Sequence, residues 1–212
     1  MYKRRNGFTI VELLIVIVVI GILAAIALNS YAGIQRNARN QQNVSLAQAW
    51  HKALLAYAVA NGNAYPSEMA GGTEVYFCLG SYPDVDSNGT GDCQVAANGT
   101  TSLASTIPSF NTKMRAYIDT TATASGAKYL EGDNSNSSGV WLWIIPYATL
   151  NGTAHAWYLA YVIESPATCA YGKPIYETGG WGVFGTNAPS GYTYGGSAAR
   201  WCAIPLPDPA KV

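Results

Sequence analysis

The chain has 212 residues, 49% of them hydrophobic and only 11% charged, with twelve cations balancing twelve acids. A soluble domain carries roughly 25% charged residues, which excludes a highly charged cytosolic protein, and a neutral chain offers no overall basic field that argues for nucleic acid. The length suits one domain with an anchor, or two small domains.

The apolar excess sits at the start. Residues 3 to 28 read KRRNGFTIVELLIVIVVIGILAAIAL, three cations leading into an aliphatic run interrupted by one acid, Glu12. As a helix, Phe8 to Leu28 spans roughly 31 Å, about one hydrocarbon core. Lys3, Arg4 and Arg5 stay in the cytoplasm by the positive-inside rule, with the remainder outside. A secretory signal peptide fits the basic and apolar regions, and Ala25-Ile26-Ala27 is a possible cleavage site. A plain single-pass anchor fits as well. Neither explains Glu12, because an acid at the membrane centre costs about 2.5–3.5 kcal/mol on insertion scales. Cutting after Gly7 does explain it. The new α-amine on Phe8 is largely protonated near neutral pH, and in low dielectric it neutralises Glu12 within one helix or between neighbouring subunits.

KRRNG followed by FTIVELLIVIVVIGILAAIAL resembles the class III signal of type IV pilins and pseudopilins, with a basic leader ending in Gly, then Phe-Thr-Ile-Val-Glu, then an unbroken aliphatic helix. The resemblance is close over about the first 30 residues and loose over about 60. It implies a leader over 1–7, cleavage between Gly7 and Phe8 by a prepilin peptidase, N-methylation of Phe8, and packing of helices into a filament core with Glu12 guiding assembly. It also implies other pilin subunits, an assembly platform and a separate cytoplasmic ATPase as partners. The protein would sit in the cytoplasmic membrane with its N-terminus inside, then in a surface filament. One departure stands out: such helices usually carry a proline just after the Ala-Ile-Ala run, and this chain has Leu28-Asn29-Ser30. Any local melting of the helix would rely on Gly21, Gly33 and the Asn29-Ser30 pair, which are weaker breakers.

The helical pattern continues beyond the membrane. Residues 29–45 are polar with Ala interspersed, then Leu46, Trp50, Ala53, Leu54 and Tyr57 recur at three- and four-residue steps. Asn61-Gly62 supplies a stop. One helix from about Phe8 to Ala60 is expected, with 8–28 as membrane or filament core and 29–60 as its amphipathic continuation. The head, 61–212, begins with a loop-rich connection over 61–106. A short helix is expected within 107–118. VWLWIIPYATL and TAHAWYLAYVIES flank Asn151-Gly152, a favoured hairpin turn, with Pro146 marking an edge or bulge. PIYETGGWGVFG and YTYGGSAARWCAI add further strands. The expected fold is α+β, an antiparallel sheet packed on a long N-terminal helix. Alternation is expected to bury one face of each strand.

Four cysteines behind an export signal favour two disulfides. Three pairings are open. Cys78–Cys93 and Cys169–Cys202 are favoured because each brackets a Gly-rich loop without interlocking the two halves.

Enzyme motifs are scarce. His51 and His155 are too few and too scattered for a zinc cluster or a triad, and no P-loop is present. No catalytic residue, cofactor or nucleic acid is expected for the head. One loop, DVDSNGTGD, places Asp84, Asp86 and Asn88 at alternate positions, with Gly89 for the turn and Asp92 as a further oxygen. This matches the first half of a calcium loop, but the twelfth position is Val95 instead of a bidentate acid. A plain polar turn has the same composition. Trp141, Trp143, Trp157, Trp181 and Trp201 can serve as sheet core or as a glycan-stacking platform. Three functions follow: a structural subunit of a type IV pilus or pilus-like filament, a minor tip pilin or anchored adhesin that binds glycan, surface or DNA, or a type II secretion pseudopilin.

Overall fold

The computed structural model describes residues 9–69, 76–96, 100–122, 128–130, 136–144, 149–150, 153–154, 157–164, 168–178, 181–184 and 199–207. Helix α1 runs Ile10–Ala60. The chain divides into two units within it, Met1–Ala38 and Arg39–Val212.

In the first unit α1 is exposed on every side: Ile10 is 86% exposed, and Leu13, Ile17, Ile20 and Leu23 lie near 60%. It is long and apolar enough to cross a membrane. The helix is unbroken through Leu28-Asn29-Ser30. Without a proline there, every backbone N–H can keep its place in the i→i−4 ladder.

In the second unit the same helix turns a stripe inward. Val44, Ala47, Trp50, Ala53 and Leu54 are buried, at the three- and four-residue spacing that lines one helix face. The helix stops where expected. Gly62 and Asn63 adopt positive φ of 68° and 64°, and Asn63 N–H donates back to Ala58 O at 2.8 Å, which satisfies a terminal carbonyl.

The strands follow as β1 (Tyr76–Cys78), β2 (Asp92–Val95), β3 (Ser102–Ser105), β4 (Lys128–Leu130), β5 (Asn136–Ser138), β6 (Val140–Ile144), β7 (Thr149–Leu150), β8 (Thr153–Ala154), β9 (Trp157–Glu164), β10 (Lys173–Thr178), β11 (Trp181–Phe184) and β12 (Ala199–Pro205). A short helix, α2 (Pro108–Met114), lies between β3 and β4, with proline at its first turn where no N–H is missed. The main sheet has the order β1-β6-β9-β12-β10-β11, and each neighbouring pair is antiparallel. A second sheet, β3-β2-β5-β4, and the β7–β8 pair complete the fold. The protein is α+β, with a long N-terminal helix followed by antiparallel sheet.

Two expectations change. The connection over 61–106 holds β1, β2 and β3, each only three or four residues long, too short to show a period. And β9 is buried on both faces, from Trp157 to Ile163. Trp157, Leu159, Tyr161 and Ile163 join the core with Trp50 and Leu54. Tyr158, Ala160 and Val162 point the other way and are also fully buried, on a strand that β4 and β5 approach. Covering both faces of the central strand favours a continuous apolar run over alternation. The β6–β9 pairing starts at Ile144↔Trp157 and the β7–β8 pair lies in the chain between them. Asn151, Gly152 and Pro146 lie outside the described residues.

Candidate assembly segment and acidic loop

The first turn of α1 carries a feature that the hydropathy pattern hides. Thr9 and Glu12 form a reciprocal capping pair. Glu12 N–H donates to Thr9 Oγ1 at 3.2 Å. Glu12 Oε2 accepts from Thr9 N–H at 2.8 Å and from the Thr9 hydroxyl at 2.7 Å. These bonds satisfy N–H groups that a helix start leaves without intrahelical partners, and the Thr-x-x-Glu spacing is their sequence signature. The carboxylate therefore has local partners in addition to the amine expected on Phe8. The signal was present in Thr9-Ile10-Val11-Glu12 and is masked when the segment is scanned for hydropathy alone. A carboxylate at a helix N-terminus is also favoured by the helix dipole. Gly7 and Phe8 lie outside the described residues.

The second candidate is the loop between the half-cystines Cys78 and Cys93, which are bonded with Cα atoms 5.5 Å apart. Tyr82 fastens this loop to the main sheet. Its buried hydroxyl accepts from Val140 N–H at 2.8 Å and donates toward the carbonyls of Val140 and Leu79, and burial pushes its pKa well above the ordinary phenol value. Glycine is required at Gly91, where a Cβ would lie 2.5 Å from Tyr82 O.

Within the loop, carboxylate oxygens of Asp84, Asp86 and Asp92 come within 4.8 Å of one another. Asp84 accepts from the N–H groups of Asn88 (3.1 Å) and Gly89 (2.9 Å), and Gly89 makes the turn with φ +86°. Asp86 accepts from Asn88 N–H and Nδ2. Asp92 is buried, at 3% exposure. Burial pushes its pKa up, but the Ser102 and Ser105 hydroxyls and Val85 N–H outweigh that and hold it below the ordinary carboxylate value. The oxygen set suits a hard cation. The same oxygens are already supplied with donors from their own loop, so the turn holds its shape by hydrogen bonds. Val95 lies in β2 and offers no acid at the twelfth position.

The other candidates separate. Cys169 and Cys202 are bonded, with Cα atoms 5.7 Å apart, and this ties the chain before β10 to the middle of β12. His51, half-buried on α1, is hydrogen-bonded through Nδ1 to the Tyr171 hydroxyl, and burial lowers its pKa. His155 lies outside the described residues. Trp141 and Trp157 are buried at 6% and 7% exposure and serve as core, not as a stacking platform. The side chains of Trp143, Trp181 and Trp201 lie outside the described part.

The family model for the prokaryotic N-terminal methylation motif matches residues 2–28. The chain carries a prepilin-type N-terminal segment. It is 38% identical over 69 residues to the type II secretion system core protein G of Aeromonas hydrophila, a match covering 32% of this chain and 48% of that protein. It is 38% identical over 67 residues to a fimbrial protein of Neisseria meningitidis serogroup A, covering 32% and 39%. It is 38% identical over 62 residues to the type IV major pilin protein PilE1 of Neisseria gonorrhoeae, covering 29% and 38%. The match thus spans less than half the length of each of these relatives. No solved structure matches the chain.

Proposed function

We propose that this prepilin-type chain is a structural subunit of a type IV pilus or a pilus-like filament. The observation that carries the reading is the conjunction of a methylation motif over residues 2–28 with a helix exposed on all sides through its aliphatic run. An unpartnered apolar surface of that size needs either lipid or other helices around it. In this reading the precursor sits in the cytoplasmic membrane with Lys3, Arg4 and Arg5 inside. A prepilin peptidase cuts between Gly7 and Phe8, the new amine is methylated, and the helices of other copies replace lipid. The assembly platform and its ATPase act from outside the chain. Glu12 then exchanges its local Thr9 donors for the Phe8 amine of a neighbour, so its charge is satisfied before and after assembly.

Intact mass and N-terminal sequencing of the mature protein test the processing step. A start at Phe8 with one added methyl is expected, and a start at Leu28 overturns the reading. Glu12→Ala is expected to leave cleavage intact and to reduce the filaments recovered by shearing. Unchanged yield refutes the pairing role.

The similarity to the secretion core protein G supports a second reading, a pseudopilin of a secretion filament, and a minor tip pilin or adhesin is a third. Immunogold labelling along whole surface fibres favours the major subunit, and labelling confined to tips or to short periplasmic fibres favours the alternatives. The clustered Asp84, Asp86 and Asp92 oxygens with Asn88 support calcium binding by the loop. Calcium is expected to raise the unfolding midpoint of the full chain, and Asp84→Asn is expected to abolish that rise. No shift at millimolar calcium removes the metal from the proposal.

A further inference from the structure

The central strand β9 loses one neighbour before it ends. Val162 N–H donates to Gly139 O at 3.0 Å, so the backbone groups of Val162 face the β6 side, and those of Glu164, two residues on, face the same way. Gly139 then takes a positive φ of 73°, and the preceding residues, Asn136–Ser138, pair in the other sheet as β5. The chain changes sheets at this glycine. Among the described residues no strand continues beside β9 past this glycine on the β6 side, which the Val162 carbonyl and the Glu164 peptide groups face, and buried backbone groups there call for hydrogen-bond partners.

Two side chains of α1 occupy that place. Asn43 Nδ2 donates to Val162 O at 2.8 Å. Asn40 Oδ1 accepts from Glu164 N–H at 2.7 Å, and Asn40 Nδ2 donates to Glu164 O at 3.0 Å. A primary amide carries one carbonyl and one N–H₂ group, the same donor and acceptor pair that a peptide unit presents. Both asparagines are buried, at 5% and 0% exposure. They lie three residues apart on one helix face, in a helix interior where asparagine is otherwise a poor choice. Beside them the Arg39 guanidinium grips the Glu164 carboxylate through two bonds of 2.6 and 2.7 Å.

We infer that Asn40 and Asn43 act as a surrogate strand: their amides complete the β6 side of the β9 ladder and, together with the buried Trp50 stripe, set the register of α1 on the sheet. Helix numbers rise as strand numbers fall along the contact, so α1 runs antiparallel to β9 here. The register is specific. Sliding the helix by four residues would bring Val44 and Ala47, or Arg36 and Arg39, opposite the same groups, and none of these supplies an amide; a slide of three would bring Asn37 and Asn40 there, but would put Ala47 in the buried place of Trp50 and His51 in that of Leu54. A fixed register decides which face of residues 39–60 turns away from the sheet, namely the exposed Gln41, Ser45, Ala49, Lys52 and Ala56. None of this depends on the filament reading.

Residue-resolved amide hydrogen exchange on the full chain in detergent micelles, with both disulfides oxidised, tests the inference. Asn40→Ala is expected to speed exchange at the Glu164 amide at least tenfold, while Ile163, whose N–H faces β12, keeps its wild-type rate. Wild-type protection at Glu164, or equal loss at Ile163 and Glu164, overturns it. Asn40→Asp keeps an acceptor for the Glu164 N–H but exchanges the donor for a charged carboxylate oxygen beside Arg39, and covers the case in which the alanine variant does not fold. It is expected to keep Glu164 protected, and a tenfold faster Glu164 amide in that variant overturns the surrogate role.

Discussion

Trp50 sits at the centre of the contact between α1 and the sheet, and two opposing terms make its replacement informative. The side chain is fully buried and stacks on Phe110 with ring centroids 6.0 Å apart. Its indole N–H has no hydrogen-bond partner among the described residues. Trp50→Ala removes the whole ring from a closed core and should cost about 3–5 kcal/mol. Trp50→Phe keeps an aromatic surface for Phe110. It leaves a smaller void, worth about 1 kcal/mol at roughly 24 cal/mol per Å³. It also removes a buried donor whose burial without a partner costs about 1–3 kcal/mol. The terms offset, so the phenylalanine variant should lie within about 1 kcal/mol of the parent. Urea unfolding of the full chain in micelles, followed by the other tryptophans with disulfides intact, measures both. The reasoning fails if Trp50→Phe costs as much as Trp50→Ala.

His51 sets a pH window. Its folded pKa is lowered by burial, so below an unfolded value of about 6.5 the unfolded chain binds more protons. Stability contributed by the neutral ring is present above that pH and is lost as the pH falls through the folded value. The urea midpoint should therefore drop between pH 7.5 and 5, and His51→Phe should flatten that drop; an unaltered slope refutes it. A second loss is expected at lower pH. Burial raises Glu68, but its bonds to Lys113 and Ser109 outweigh this and hold its pKa down, as the bonds to Ser102, Ser105 and Val85 do for Asp92. Both carboxylates contribute above their ordinary range and lose that contribution below it. Tyr82→Phe leaves Val140 N–H buried without its acceptor and should cost about 1–3 kcal/mol, with faster exchange at the Val140 amide as the site-specific check. Thr9→Val removes one of the two donors to Glu12 and, on the proposed processing route, should alter the rate at which the precursor is cut; pulse-chase processing kinetics equal to wild type would count against a role for the capping pair.

Much of the fold was legible because its signals are local. The three- and four-residue recurrence of Leu46, Trp50, Ala53 and Leu54 marked the inward face of α1, and Asn61-Gly62 marked its end. The β-branched and aromatic runs of β6 and β9 announced strands. The short β1, β2 and β3 escaped because three or four residues cannot show a period, and β2 and β3 owe their place to a loop pinned by Cys78–Cys93. The platform reading of the tryptophans failed at Trp141 and Trp157 because composition cannot tell a strand buried on one face from a strand buried on both.

The candidate site divides the same way. The cations Lys3, Arg4 and Arg5, the Gly7-Phe8 pair, the aliphatic run and the acid at Glu12 are properties of consecutive residues, and so is the Thr9-x-x-Glu12 cap. Their meaning follows from hydropathy, charge and helix geometry over a few turns, and the sequence determines them without help from the rest of the chain. The roles of Asn40, Asn43 and Tyr82 are not of that kind. Asn40 and Asn43 meet backbone groups 124 and 119 residues away, and Tyr82 meets Val140 across 58. Along the chain they are unremarkable polar residues in a polar stretch. Only the tertiary structure decides their part, because it alone turns the chain out of the sheet at Gly139 and brings the asparagine amides to the Val162 and Glu164 peptide groups.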